Sequence, residues 1–215
     1  MIEIQSLRGN DLTNDQLIPG IRMMQEELKL IPEENLIANS EAIYKNDKLV
    51  INAFFQELEI DQQTFTIRDS NKDPESTMVQ SILLSYLKIS DGTPSSGRLI
   101  SFRELPDGSN YCHAFEGYAS GRLARHFQQN PGEFSKACLK TGGIPVDTGD
   151  AGFTFHVLPR IGITAVYYLG DETFTPSVSL LFDSNVSHYM ITAGLASIGA
   201  ALVEIIINNN CGIDT

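Results

Sequence analysis

Residues 153–182 read F-T-F-H-V-L-P-R-I-G-I-T-A-V-Y-Y-L-G-D-E-T-F-T-P-S-V-S-L-L-F. Three β-branched and aromatic runs stand out: Phe153–Leu158, Ile161–Leu169 and Val178–Phe182. Such residues favour strands. Pro159-Arg160 and a segment opening on Gly170-Asp171 separate the runs. Parallel neighbours need a long crossover, so these connections predict antiparallel pairing. Downstream, Leu195, Ile198, Leu202, Ile205 and Ile206 recur at helical spacing, with Ala193, Ala196, Gly199 and Ala200 on the other side. That small-residue side would admit a close approach by another element. The uncharged stretch Tyr189–Val203 reads as part of a buried core helix. It is shorter than the roughly 20 apolar residues of a bilayer span.

Upstream, helices are expected over Ser120–Gln128 and Pro131–Lys140, the second closed by Thr141-Gly142-Gly143. Leu99–Leu105 reads as a strand, Pro106-Asp107-Gly108 as a turn and Tyr111–Phe115 as the returning strand. Asp73-Pro74-Glu75 supplies cap, first turn and dipole-matched acid for a helix over 74–88. Its stripe is Met78, Val79, Ile82, Leu83, Tyr86 and Leu87. Leu49–Ile67 has β texture with a hairpin turn expected at Asp61-Gln62. A first helix is expected from Pro19 to Ile31, and a short second one from Pro32. Strands and helices cluster without regular βαβ alternation, which predicts an α+β class. The expected architecture is one domain over residues 1–215, with 1–45 as a helical extension. A mixed or mainly antiparallel sheet would be covered by helices near 74–88 and 191–207.

The chain has 215 residues and a formal charge of −12. That balance disfavours nucleic acid and anionic membrane as partners, since both need a basic face. Three scattered cysteines, Cys112, Cys138 and Cys211, offer neither a disulfide framework nor a Cys-x-x-Cys site. With no basic-then-apolar leader in Met1–Asn10, the expected location is cytoplasmic. The acidity is uneven: seven basic and six acidic residues lie between Gly97 and Arg160, a net of +1, so the rest carries −13.

Chemistry is sparse. No Gly-x-Gly-x-x-Gly follows a strand, and neither a P-loop nor a Gly-x-Ser-x-Gly elbow occurs. Glu104, Asp150, Asp171 and Asp183 fall at expected strand ends or turns. Brought together, they would serve acid–base work or hold a hard cation; taken singly, each would close a turn. Arg103 and Arg160 are anion hooks if in a cleft and struts if paired. Arg122, Arg125 and His126 lie within one helical turn and would form an anion-attracting surface or a solvated helix face. Four separated histidines give no local metal motif, and no metal site is expected. Cys138, between Lys136 and Lys140, is either activated or packed.

A series of motifs then falls in one order: G-R-L-I-S-F-R-E-L-P-D-G-S-N-Y from Gly97, H-A-F-E-G-Y, R-L-A-R-H-F to Phe127, Leu158-Pro159-Arg160, Gly170-Asp171-Glu172 and Leu181-Phe182-Asp183. From about residue 45 onward the chain resembles the bacterial and archaeal family catalogued as domain of unknown function 3786. The resemblance implies no established activity. It implies a setting in anaerobes, where some members carry an added four-cysteine iron–sulfur domain like that of corrinoid iron–sulfur proteins. This chain has no such cysteine cluster and no tryptophan. Where relatives tend to have tryptophans, it carries Leu99 and Tyr167-Tyr168. The cofactor stays open. The leading expectation is a binding or accessory module for a small anionic or cofactor-like molecule or a protein partner. Its contacts would be Arg103, Tyr111, Arg122, Arg125 and Arg160, in corrinoid or iron–sulfur metabolism. The alternative is an enzyme working through the four carboxylates, with or without a metal.

Overall fold

A computed structural model describes residues 14–211, which fold into two compact units. The first takes the chain up to Ser95 together with Leu158–Arg160 and His188–Met190. The second takes Ser96–Val157, Ile161–Ser187 and the chain from Ile191. Helices and antiparallel sheets occur in separate runs, and the fold is α+β.

In the first unit, helices α1 (Asn14–Leu28) and α2 (Glu33–Ser40) precede a meander. Its strands are β1 (Ile43–Lys45), β2 (Lys48–Ala53), β3 (Gln56–Ile60) and β4 (Ile67–Arg68), in the order 1-2-3-4. Helix α3 (Thr77–Ile89) follows and packs on α1 and α2. The expected stripe is its buried face: Val79, Ile82, Leu83, Tyr86 and Leu87. Its start differs from the expectation. Ser76, not Asp73, is the cap, its hydroxyl accepting the Val79 N–H at 3.3 Å. Pro74 instead forms an isolated antiparallel bridge to Arg68 of β4. Helix α1 begins earlier than expected and carries Pro19 inside it. The expected turn at Asp61-Gln62 lies in the hairpin that joins β3 to antiparallel β4, and a further hairpin, between β2 and β3, turns at Phe54-Phe55. The Asp61 carboxylate accepts the Gln63 and Thr64 N–H groups in the loop from β3 to β4.

The second unit opens with β5 (Leu99–Ser101), less than half the length expected. Glu104 ends it: its carboxylate accepts both the N–H and the hydroxyl of Ser101 at 2.8 Å. That capping box coils Phe102–Glu104 into a 3-10 turn. Gly108 fits close beneath the turn, where a Cβ would lie 2.0 Å from the Phe102 carbonyl oxygen. Tyr111–Phe115, expected as a strand, belongs to helix α4 (Gly108–Tyr118). Helices α5 (Ser120–Phe127) and α6 (Pro131–Lys140) follow as expected. Then come β6 (Ile144–Val146), β7 (Ala151–Leu158), β8 (Ile161–Tyr168), β9 (Ser177–Asp183) and α7 (Thr192–Cys211). The sheet order is β5-β9-β8-β7-β6, so the quoted runs form its centre.

The core joins sheet and helices through aromatic rings. Phe102 stacks on Phe115 with centroids 4.1 Å apart, and Phe182 meets both at 6.2 Å. Phe134 lies against Phe127, Phe153 and Tyr167. Helix α7 buries Leu195, Ile198, Leu202, Ile205 and Ile206. Its small face receives the α4 ring, since a Cβ at Gly199 would come within 2.9 Å of Phe115. By length and hydropathy Thr192–Asn210 also meets the criteria for a membrane span, with half of that window buried inside the protein.

Candidate functional site

Within the second unit, a cleft of about 480 Å³ lies between α4, α5 and the first half of β9. Its size is in the ordinary range for ligand sites, about 300–1,000 Å³. Ser177–Leu181 form one wall, Ser101-Phe102 one end, and Glu116, Ser120, Gly121 and Arg125 the helical side. Strand β9 alternates, with Val178, Leu180 and Phe182 buried while Ser177, Ser179 and Leu181 are more exposed. Alternation of this kind is the pleat of a sheet with one buried face.

Arg125 is the cation of this cleft. Its guanidinium donates to the Gly117 carbonyl at 2.7 Å, which turns it back over the end of α4. Gly121 makes room for that arrangement. A Cβ there would sit 2.7 Å from the Glu116 carbonyl oxygen and 3.3 Å from Arg125 Nη1. Among the described residues, Arg125 has no carboxylate partner. Glu116, the acid of the cleft, lies 3.7 Å from His113 one turn away.

The other expected contacts lie elsewhere. Arg122 donates to Glu204 of α7 at 2.8 Å and is a strut between helices. Arg103 is exposed in the 3-10 turn, and Tyr111 is 63% exposed on α4. Arg160 belongs to the first unit. There its backbone N–H donates to the Tyr86 hydroxyl at 3.2 Å, and its Nη2 reaches Glu41 at 3.3 Å and the Ala38 carbonyl at 3.4 Å. Its guanidinium carbon also lies 6.0 Å from the centre of the Tyr189 ring. Burial pushes the Tyr86 phenol well above its usual range, so Tyr86 stays neutral and donates to the Ser40 carbonyl at 2.8 Å.

The four candidate acids each hold a different piece of chain. Glu104 caps Ser101, and those bonds lower its carboxyl below the usual range. Asp150 accepts the Leu169 N–H at 2.7 Å. Asp171 accepts the Thr173 and Phe174 N–H groups at 2.7 and 2.8 Å; the bond from Phe174 leads in lowering its carboxyl. Asp183 accepts the Ser96 and Gly97 N–H groups at 3.1 and 2.9 Å. None of the four lines the cleft. Among the described residues, no three His, Cys, Asp or Glu side chains gather as a metal site would require. Cys138 is packed, and burial raises its thiol far above the usual range, so it is no thiolate despite its lysine neighbours.

The sequence profile of a family described as Domain of unknown function (DUF3786) matches residues 33–205. The chain belongs to that family. In this DUF3786 member the matched stretch contains every residue of the cleft. No curated protein and no solved structure matches the chain. The serines on β9 were not among the candidates read from sequence. Their signal was the alternation Ser177-Val178-Ser179-Leu180, a polar row beside an apolar one.

Proposed function

We propose that this protein is a binding module whose cleft takes an anionic ligand through Arg125. The observation that carries this reading is a guanidinium at a cleft wall whose only described bond goes to a neutral carbonyl. Such a group keeps N–H donors for a carboxylate or phosphate, and paired donors on a planar fork suit both. The serine hydroxyls of β9 and α5 add neutral donors and acceptors that orient a ligand without adding charge. The setting implied by the family resemblance is anaerobic corrinoid or iron–sulfur metabolism, and the sparse, scattered cysteines favour the cytoplasm for this accessory role. An enzyme working through Glu104, Asp150, Asp171 and Asp183 draws no support from carboxylates that each hold a separate piece of chain.

The test is an NMR titration of the 15N-labelled full chain with succinate and with inorganic phosphate. Saturable shifts are expected at the amides of Ser120–Arg125 and Ser177–Leu181, and none in Arg125→Gln. Shifts scattered over the surface, or unchanged in the variant, would overturn the reading.

A further inference from the structure

Buried hydroxyls in this protein are matched to partners. Ser40, Ser90 and Thr141 each donate to the carbonyl four residues back, at 2.7, 2.6 and 2.8 Å. Thr164 meets Thr154 at 2.8 Å, and the buried tyrosines Tyr86, Tyr167 and Tyr189 each donate to a carbonyl. Among the described residues Ser120 is the exception. It is only 7% exposed and it lines the cleft. Its hydroxyl has no hydrogen-bond partner in the protein and is not sealed from solvent, so it faces the space of the cleft. A buried polar group left unmet is costly, and such groups are regularly satisfied.

Arg125 converges on the same spot. It belongs to the last turn of α5, yet its guanidinium is folded back to the first. It donates to the Gly117 carbonyl at 2.7 Å, and its Nη1 lies 3.3 Å from where a Cβ on Gly121, the second residue of the helix, would stand. Helix dipoles favour cations at the C-terminal end and anions at the N-terminal end. Here a cation is held at the end that repels it. No side chain caps that end either, since the cap position is Ala119.

We infer that the anion taken by this cleft is a phosphate group, held by the Ser120 hydroxyl, the N-terminal end of α5 and the Arg125 guanidinium. This rests on the reading of the cleft as an anion-binding site and names the anion. A carboxylate presents two oxygens in one plane. The guanidinium fork satisfies both and leaves Ser120 unmet. A phosphate presents three acceptor oxygens in a tetrahedral array, so one group meets the fork, the hydroxyl and the helix end together. Gly121, lacking a side chain, lets the anion come close to the backbone there. The cleft of about 480 Å³ has room for free phosphate or for a small phosphate ester. Glu116 in the same cleft opposes a second acid on the carrier of an ester.

Calorimetric titration of the full chain with inorganic phosphate, glycerol phosphate and succinate tests this, at about pH 7.5, where phosphate is mostly a dianion like succinate. At least one phosphate compound is expected to bind roughly tenfold tighter than succinate. Tighter binding by the ester names a phosphorylated small molecule as the source, and equal binding names free phosphate. Ser120→Ala removes one oxygen, and a melting curve checks that the variant is folded. It should weaken the phosphate compounds at least fivefold and succinate less than twofold, while Arg125→Gln should abolish binding of all three. Succinate binding as tightly as both phosphate compounds, or a Ser120→Ala effect that does not separate phosphate from succinate, sinks the inference and leaves the anion-binding reading standing. No binding by any of the three sinks both.

Discussion

Asp183 and Asp171 show how differently two carboxylates in turns are employed. Asp183 ties together pieces of chain more than eighty residues apart, accepting from Ser96 and Gly97 as well as from Asn185 nearby. Among the described residues, Asp171 serves only its own loop. Asp183→Ala is expected to cost about 2–3 kcal/mol in urea unfolding, and Asp171→Ala distinctly less. Asp91 provides a pH signature. The hydrogen bond with His188 leads, and Thr93 adds to it, in holding its carboxyl down to about 2. A folded-state value below the ordinary 3.8 means that the charged form is favoured by folding. Its stabilisation is whole above that value and fades as pH falls toward 2. The gap in Tm between the native chain and Asp91→Asn should therefore close over that window. That Asp171, after Gly170, would close a turn was legible in the sequence, because the Asx geometry is local; Asp150, after Gly149, instead reaches the Leu169 N–H nineteen residues away. The difference between Arg122 and Arg125 was not legible. It depends on Glu204, some eighty residues away on α7, which engages one arginine and leaves the other.

Elements with one strong period were the most readable. The runs of β7 and β9 and the stripe of α3 place most of their apolar residues on the face that the structure buries, while the run of β8 is buried on both faces. The departure at α4 has a visible cause. Its buried positions are Gly108, Cys112 and Phe115, followed by Ala119, a helical spacing, but Tyr111 beside them gave the segment a strand-like look. The length of β5 depended on a side chain beyond the strand, Glu104, and so was hidden from a reading of propensity. At the interface of α7 with α4, Gly199 meets the Phe115 ring. Gly199→Val is expected to destabilise by about 1–3 kcal/mol through overpacking, measured by thermal or urea unfolding. A second close approach, at Gly121, sets the cleft itself. Gly121→Ala should weaken succinate binding in the NMR titration, since the added Cβ crowds Arg125 and the Glu116 carbonyl.

On the scale of the whole molecule, the α+β class followed from counting runs, whereas the division into two units did not. Pieces of the first unit are drawn from places sixty and ninety residues beyond its main segment. Those pieces matter physically. Arg160 supplies the N–H received by the buried Tyr86 hydroxyl, and the Tyr189 hydroxyl donates to the Thr93 carbonyl. A fragment of residues 1–95 lacks both. Its α3 amides are expected to exchange hydrogen faster than the same amides in the full chain, as mass spectrometry would read. The chain passes between the units at 95–96, 157–158, 160–161, 187–188 and 190–191. No single stretch of gene encodes either unit complete. Recombination with one crossover inside residues 96–190 would give a hybrid whose first unit is assembled from two parents. Such hybrids should persist only where both parents keep matching partners for Tyr86 and Thr93, so this domain is expected to travel between genomes whole.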